Sequence, residues 1–265
     1  MTEVLSYISS DQMICDNCRK QIKRDVLCDF AENYLFVLQN EVQGFHWNNA
    51  QATIQPFAIY YRQTETEDLS YTNLVVISDC LQHNTVAVHT FQKCLVHFLK
   101  QNVENVCKLY YFSDGCAGQY KNRKNFSNLV SHKADFGIPA EWHFFATSHG
   151  KNSCDGLGGT VKRLAARASL QRIYTEQIMT PWQLFDWAKG HIKNMNFVYV
   201  SQDEILENEK LLHRWHEEAM RVPGTQALRA FIPGVRNNLI MKRFSADVPR
   251  NCRQVFHAKH YLWMK

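Results

Sequence analysis

Between Lys108 and Arg163 the chain twice drives an apolar, aromatic-rich run into an abruptly polar end. KLYYFSDG stops at Asp114, and EWHFFATSHGKNSCDG reaches Asp155 a few residues past its last aromatic. Both runs are too short for helices and rich in strand-favouring side chains, so they read as buried strands over 108–114 and 141–147. Between them NRKNFSNLVSHKADFG (122–137) has a helical pattern, closed by Gly137 with Pro139 just beyond. Strands separated by such a crossover run parallel. Carboxylates at the ends of neighbouring strands are a common way for α/β proteins to hold a divalent ion, because hard cations take oxygen ligands on a rigid frame.

The preceding chain supplies three more strands. RDVLCDFAENY carries an apolar segment over Val26–Phe30 that includes Asp29. LFVLQNEVQGFHW continues or pairs with it, and ATIQPFAIYY (52–61) and LVVISDC (74–80) are strongly strand-like. Val88, Phe91, Leu95 and Leu99 recur at helical spacing within 86–103, and LGGTVKRLAARASLQRIY (157–174) reads as a helix with a glycine-rich start. The order is three strands, helix, strand, helix, strand, helix. That predicts an α/β fold with a mixed sheet, a three-strand meander plus parallel strands, flanked by helices in the ribonuclease H-like arrangement. In that arrangement an acid sits on the first strand, a second ends the fourth, and a third lies on the helix after the fifth. Those places fall on Asp29, Asp114 and Asp155. Glu32 and Glu41 compete for the first. Asp79 also ends a strand, but the third, where the arrangement has no acid; Asp135 and Glu141 are weaker rivals. Each aspartate also has a plain structural reading, as a turn former or a helix cap.

The runs DFAENYLFVLQNEVQGFHWNN, YYFSDGCAGQYKNRKNF and WHFFATSHGKNSCDGLGGTVKRLAARASLQ resemble a family of uncharacterised, transposon-derived eukaryotic proteins, itself similar to DDE/D transposases with a ribonuclease H-like core. The resemblance spans roughly residues 25 to 175 and continues more weakly to about 245. It implies a DNA nuclease or strand transferase using two Mg²⁺ or Mn²⁺ ions, or a domesticated module that keeps the fold without the chemistry.

Phosphodiester cleavage and strand transfer need an activated water or 3′-hydroxyl and a stabilised leaving oxygen, which two divalent ions roughly 3.5–4 Å apart provide. Asp29 is expected to bridge both ions, with Asp114 and Asp155 holding one each. His149, six residues before Asp155, is a candidate for the leaving oxygen or a proton, although a lone histidine is more often structural. Gln119, Lys121, Asn122, Arg123, Lys151, Lys162 and Arg163 flank the acids and are candidates for backbone phosphates. Gly156, Gly158 and Gly159 are expected to lead into a helix N-terminus, a natural anion site. They do not form a phosphate-binding loop, because no Gly-Lys-Ser/Thr follows them. His46-Trp47 could stack on a base.

Composition sets the remaining bounds. A 45% hydrophobic chain of 265 residues can bury a core, and its +5 charge is mild but concentrated around the two acids and near the C-terminus. No run reaches membrane-spanning length and the N-terminus lacks a secretion-signal layout, so an intracellular, non-membrane protein, nuclear if it works on DNA, is expected. Nine cysteines without such a signal read mainly as buried thiols. Cys15 and Cys18 have the spacing of half a zinc site, with no second pair at finger spacing. Residues 1–24 form an N-terminal segment, 25–178 the core, and 179–265 a C-terminal helical and strand extension. No helix-turn-helix or complete zinc finger is visible. DNA is the expected partner, with a homo-oligomer possible for a chain of this type.

Overall fold

A computed structural model describes residues 22–37, 50–62, 68–145, 153–235, 237–243 and 251–254. The strands are β1 (Ile22–Cys28), β2 (Ala31–Leu35), β3 (Gln51–Tyr61), β4 (Ser70–Ser78), β5 (Val106–Ser113), β6 (Ala140–Phe144), β7 (Phe197–Val200), β8 (Ala230–Pro233), β9 (Asn238–Lys242) and β10 (Asn251–Gln254). The helices are α1 (Thr85–Asn102), α2 (Arg123–Phe136), α3 (Ser153–Leu170), α4 (Pro181–His191) and α5 (Gln202–Glu218). The result is an α/β protein with one mixed sheet flanked by helices. Cys15, Cys18, His46, Trp47, His149, Lys151 and the rival acid Glu41 lie outside the described residues.

The strands lie in the order β10-β9-β8-β6-β5-β1-β3-β4-β7, with β2 paired to β3. The meander is antiparallel, β1 to β3 to β4. The crossovers through α1 and α2 set β5 parallel to β1 and β6 parallel to β5. After β1 the chain turns at Asp29 and Phe30 into β2, which pairs antiparallel with β3; of the segment expected to continue or pair with β1 (35–47), residues 38–47 lie outside the described residues. Pro56, inside the central strand β3, sits opposite the join between β1 and β2, where its missing N–H can be tolerated. Beyond the core, β7 adds parallel to β4, and β8, β9 and β10 extend the sheet past β6 in antiparallel fashion.

Alternation along the strands sorts side chains between two layers. Val26, Cys28, Phe57, Ile59, Leu109, Tyr111 and Trp142 face the layer containing α1, α2 and α5. Ile54, Val75 and Ile77 face α3 and α4 on the other side, as do Leu27, Ala58 and Phe112, which pack with Cys154 and Leu157 of α3.

Helix ends are set by local chemistry. The Asn84 side chain accepts from Val86 and Ala87 N–H at the start of α1, and Asn122 accepts from Asn125 N–H at the start of α2. Gly137 ends α2 at φ 78°, the left-handed conformation glycine adopts without strain. Thr180–Gln183 and Ser201–Glu204 form reciprocal capping boxes on α4 and α5.

The third helix begins earlier than its glycines suggest. It starts at Ser153, so Gly156, Gly158 and Gly159 lie inside it rather than leading into it. Gly158 has a packing reason: a Cβ there would lie 2.9 Å from the Ala31 Cβ. The helix therefore presses against β2 at that point, and Asp155 falls in its first turn.

Candidate functional site

The sheet brings the two sequence-predicted strand ends together. β1 and β5 pair in parallel up to Leu27 opposite Phe112, so the register continues to Asp29 beside Asp114, one residue past each strand. Neighbouring strands are about 4.8 Å apart. Leu27 and Phe112 point towards α3; continuing the strand alternation one residue past each end puts Asp29 and Asp114 on that same side, and Asp155 sits in the first turn of α3.

Two buried thiols lie beside the acid-bearing ends of the strands. The Cys28 thiol is pushed well up by burial and then by the charges of Cys154, Asp29 and Asp114. The Cys154 thiol is pushed up by burial, with Asp29 and Asp155 adding to it. The Cys154 Sγ–H donates to the Leu27 carbonyl at 3.3 Å and the Cys28 Sγ–H to the Phe112 carbonyl at 3.6 Å. Burial holds both thiols neutral, and their hydrogens serve to pin α3 to β1 and β1 to β5. The Tyr60 and Ser153 hydroxyls, 2.6 Å apart, tie the start of α3 to β3 as well.

Two residues not singled out in the sequence bind the acid-bearing loops to each other. Gln55 of β3 is buried; its Nε2 donates to the Asp29 carbonyl at 2.9 Å, and its Oε1 accepts from the Tyr120 hydroxyl at 3.3 Å. Tyr120 lies in the loop that follows Asp114, and its phenol is pushed well up by burial, with the charges of Cys28, Asp29 and Asp114 adding to it. A glutamine in an apolar strand is the kind of signal that could have been noticed, since a buried amide must be satisfied. Phe30, just after Asp29, stacks on His83 at 4.3 Å and packs near Tyr120 and Phe91, fixing the chain on the far side of the acid.

Asp114 is exposed, and its Oδ1 accepts from Cys116 N–H at 3.1 Å. Asp155 is exposed and Asp29 half-buried. Among the described residues, no group of three or more His, Cys, Asp or Glu is placed to hold a metal ion.

The rival acids go elsewhere. The Asp79 carboxylate accepts from Gln202 N–H at 2.6 Å, at the start of α5. Glu141, itself buried, pairs with Lys108 of β5 and with His143 of its own strand, and Asp135 pairs with His89. Glu32 lies near Lys162, whose ammonium is pushed down chiefly by burial and partly held up by that carboxylate.

Several candidate phosphate contacts also have structural work. Asn122 caps α2 and donates to Thr85 Oγ1 and the Ala117 carbonyl, both at 2.8 Å. The Gln119 carbonyl accepts from the Thr85 hydroxyl at 3.2 Å. Lys121 Nζ donates to the Leu228 carbonyl at 2.8 Å, Arg123 reaches the Ala219 carbonyl at 3.4 Å, and Arg163 reaches Thr160 Oγ1 at 3.4 Å.

The class these features define is an α/β protein with a mixed sheet of parallel and antiparallel strands flanked by helices, with Asp29 and Asp114 just past two neighbouring parallel strands and Asp155 in the first turn of α3. The chain belongs to the family whose model, described as a domain of unknown function (DUF8701), matches residues 13–245. No curated protein is similar enough to count as a relative. A solved structure titled "Crystal structure of NurA" aligns with 94% of this chain and 50% of its own at 11% identity, with a TM-score of 0.19. The chain thus spans about half of that protein's length, and a likeness so slight carries neither fold nor function. No helix among the described residues is long and apolar enough to cross a membrane.

Proposed function

We propose that this protein is a ribonuclease H-like, transposase-derived nuclease or strand transferase acting on DNA, with Asp29, Asp114 and Asp155 as its acids. The observation that carries the reading is the placement of Asp29 and Asp114 just past adjacent parallel strands, on a sheet whose Leu27 and Phe112 pack against the first turn of the helix that bears Asp155. Support for the fold comes from the central order β4-β3-β1-β5-β6, in which β3 alone runs against its neighbours.

The donor chemistry suits a hard divalent ion. The ionisable oxygens at this edge are carboxylates, while both nearby thiols are held neutral and directed into backbone carbonyls. Mg²⁺ is usually held by one or two carboxylates completed by water and substrate phosphates, so a full protein cage is not required. Asp29 would contact both of two ions, and Asp114 and Asp155 one each. Bound Mg²⁺ or Mn²⁺ supplies an activated oxygen nucleophile and charge neutralisation at the leaving oxygen. The chain's own contribution is placement. Gln55 fixes the Asp29 backbone relative to the Asp114 loop, and Cys154 fixes α3 against β1.

The test is nicking of supercoiled plasmid by the full chain with Mg²⁺ or Mn²⁺. Wild type is expected to nick, and Asp114→Asn to fall to the no-enzyme background. Equal rates for the two would sink the enzymatic reading. A second reading is a catalytically silent DNA-binding module that keeps the fold. It draws on the Asp114 carboxylate, which already serves as a turn former through Cys116 N–H. Salt-dependent DNA binding without metal-dependent cleavage would favour that reading.

A further inference from the structure

A second feature lies on the far side of the loop that carries Asp114. A cavity of about 460 Å³ opens between the start of α2 and the chain following α5. Its wall includes Lys121, Asn122, Arg123, Arg221 and Thr225 over the ring of Phe126, and no described Asp or Glu lines it. Three cations from two distant parts of the sequence therefore share one concavity with no counter-charge among its described lining residues.

Each cation is held differently. Lys121 is anchored through Nζ to the Leu228 carbonyl, and its ammonium lies 4.9 Å from the centre of the Phe144 ring. Burial and the neighbouring Arg229 push that ammonium down to about 8. Arg123 spends one N–H on the Ala219 carbonyl. The described structure gives Arg221 no hydrogen-bond acceptor within the protein. Two guanidinium groups present forked donors matched to phosphate oxygens. The cavity volume lies within the range of ordinary ligand sites.

We propose that this cavity binds a phosphate group of a DNA strand and so leads that strand to Asp114. The connection to the acid is covalent and short. The Lys121 stem packs against Gly115, with its Cδ 3.6 Å from where a Gly115 Cβ would stand, and Gly115 follows Asp114 directly. The choice of DNA over a free phosphate rests on the nucleic-acid reading above; the pocket's preference for a phosphate does not.

Arg123→Gln and Arg221→Gln test the pocket, because both side chains are exposed and their loss leaves the core intact. Lys133→Gln is the charge control: exposed on the same helix, it lies about 15 Å along the axis from Arg123. Fluorescence anisotropy with a short DNA duplex, across a salt series, is the first readout. Each arginine variant is expected to weaken binding about five- to tenfold near 0.1 M salt and to flatten the log–log salt slope by about 0.9, one phosphate contact. Lys133→Gln should stay within about twofold of wild type. The second readout is thermal protection by inorganic phosphate, which the double variant should lose. Wild-type affinity and slope in both arginine variants, or the same loss in Lys133→Gln, would overturn the pocket while leaving the nucleic-acid reading intact. Phosphate protection that the double variant loses, in a protein that binds no DNA at low salt, would overturn the strand assignment together with that reading.

Discussion

Acidification is expected to unfold this protein partly through one histidine. His132 of α2 is 1% exposed; its Nδ1–H donates to the Ile138 carbonyl at 2.6 Å, and its Nε2 accepts from the Tyr111 hydroxyl at 2.9 Å. Both nitrogens are thus satisfied in the neutral ring, and protonation would make Nε2 a donor, turn the Tyr111 hydroxyl away from donating to it and bury a charge. Burial pushes the imidazole from 6.5 down to about 4, with the Ile138 hydrogen bond opposing and His89 and Asp135 acting in opposite directions. The folded value is depressed, so the unfolded chain binds the proton first. Stability is full above about pH 6.5 and falls as the pH drops towards about 4. At about 1.4 kcal/mol per pH unit in that window, the loss between about pH 7 and about pH 4.5 is on the order of 2 kcal/mol from this residue. Urea denaturation of wild type and His132→Gln at both pH values isolates the effect. His216, also pushed to about 4 by burial, remains in both proteins and cancels. The variant should lose about 2 kcal/mol less than wild type on acidification. Equal losses would show that the His132 environment does not resist protonation, and the argument from its two hydrogen bonds would fail.

The remaining expectations concern the acid-bearing edge. Gln55→Leu strips the amide from between Asp29 and Tyr120; it should cost about 1–3 kcal/mol in urea denaturation and slow any plasmid nicking. Unchanged nicking in a folded Gln55→Leu protein would show that the loops need no such tie. Gly156→Ala and Gly159→Ala, where an added Cβ meets nothing within 4 Å, should each raise stability by up to about 1 kcal/mol through helix propensity. Gly158→Ala should instead lower it, because overpacking against the stiff Ala31 methyl costs about 1–3 kcal/mol. Thermal melts of the three variants decide whether α3 is really pressed onto β2. Asp79→Ala should cost about 1 kcal/mol by removing an anion from the start of α5 and leave DNA cleavage unchanged; loss of cleavage would return Asp79 to the site.

What could be read from the sequence depended on whether the signal was local. The strands at β3, β4, β5 and β6 and the helices α1 and α2 announced themselves through apolar period and stop residues. Their order alone predicts the parallel and antiparallel pairing that sets Asp29 beside Asp114. The end of β1 was harder to read, because the apolar pattern runs on through Phe30 while the chain turns at Asp29 to begin β2. That side chain packs against His83, some fifty residues away, a contact no periodicity encodes. The glycines of α3 misled for a related reason. Gly158 is small to admit Ala31, whereas the sequence offered only the local reading of a helix entrance. β7, four residues long and on the sheet's edge, is too short to carry a period. The same limit explains why the acids were legible and their supports were not. A carboxylate after an apolar run stands out by contrast, but Gln55 and Cys154 do their work through partners 26 and 127 residues away. The proposed chemistry at this edge therefore rests on residues that look like ordinary core until the sheet brings them to the acid-bearing loops, and variants of Gln55 are the sharper probe of the proposed site for that reason.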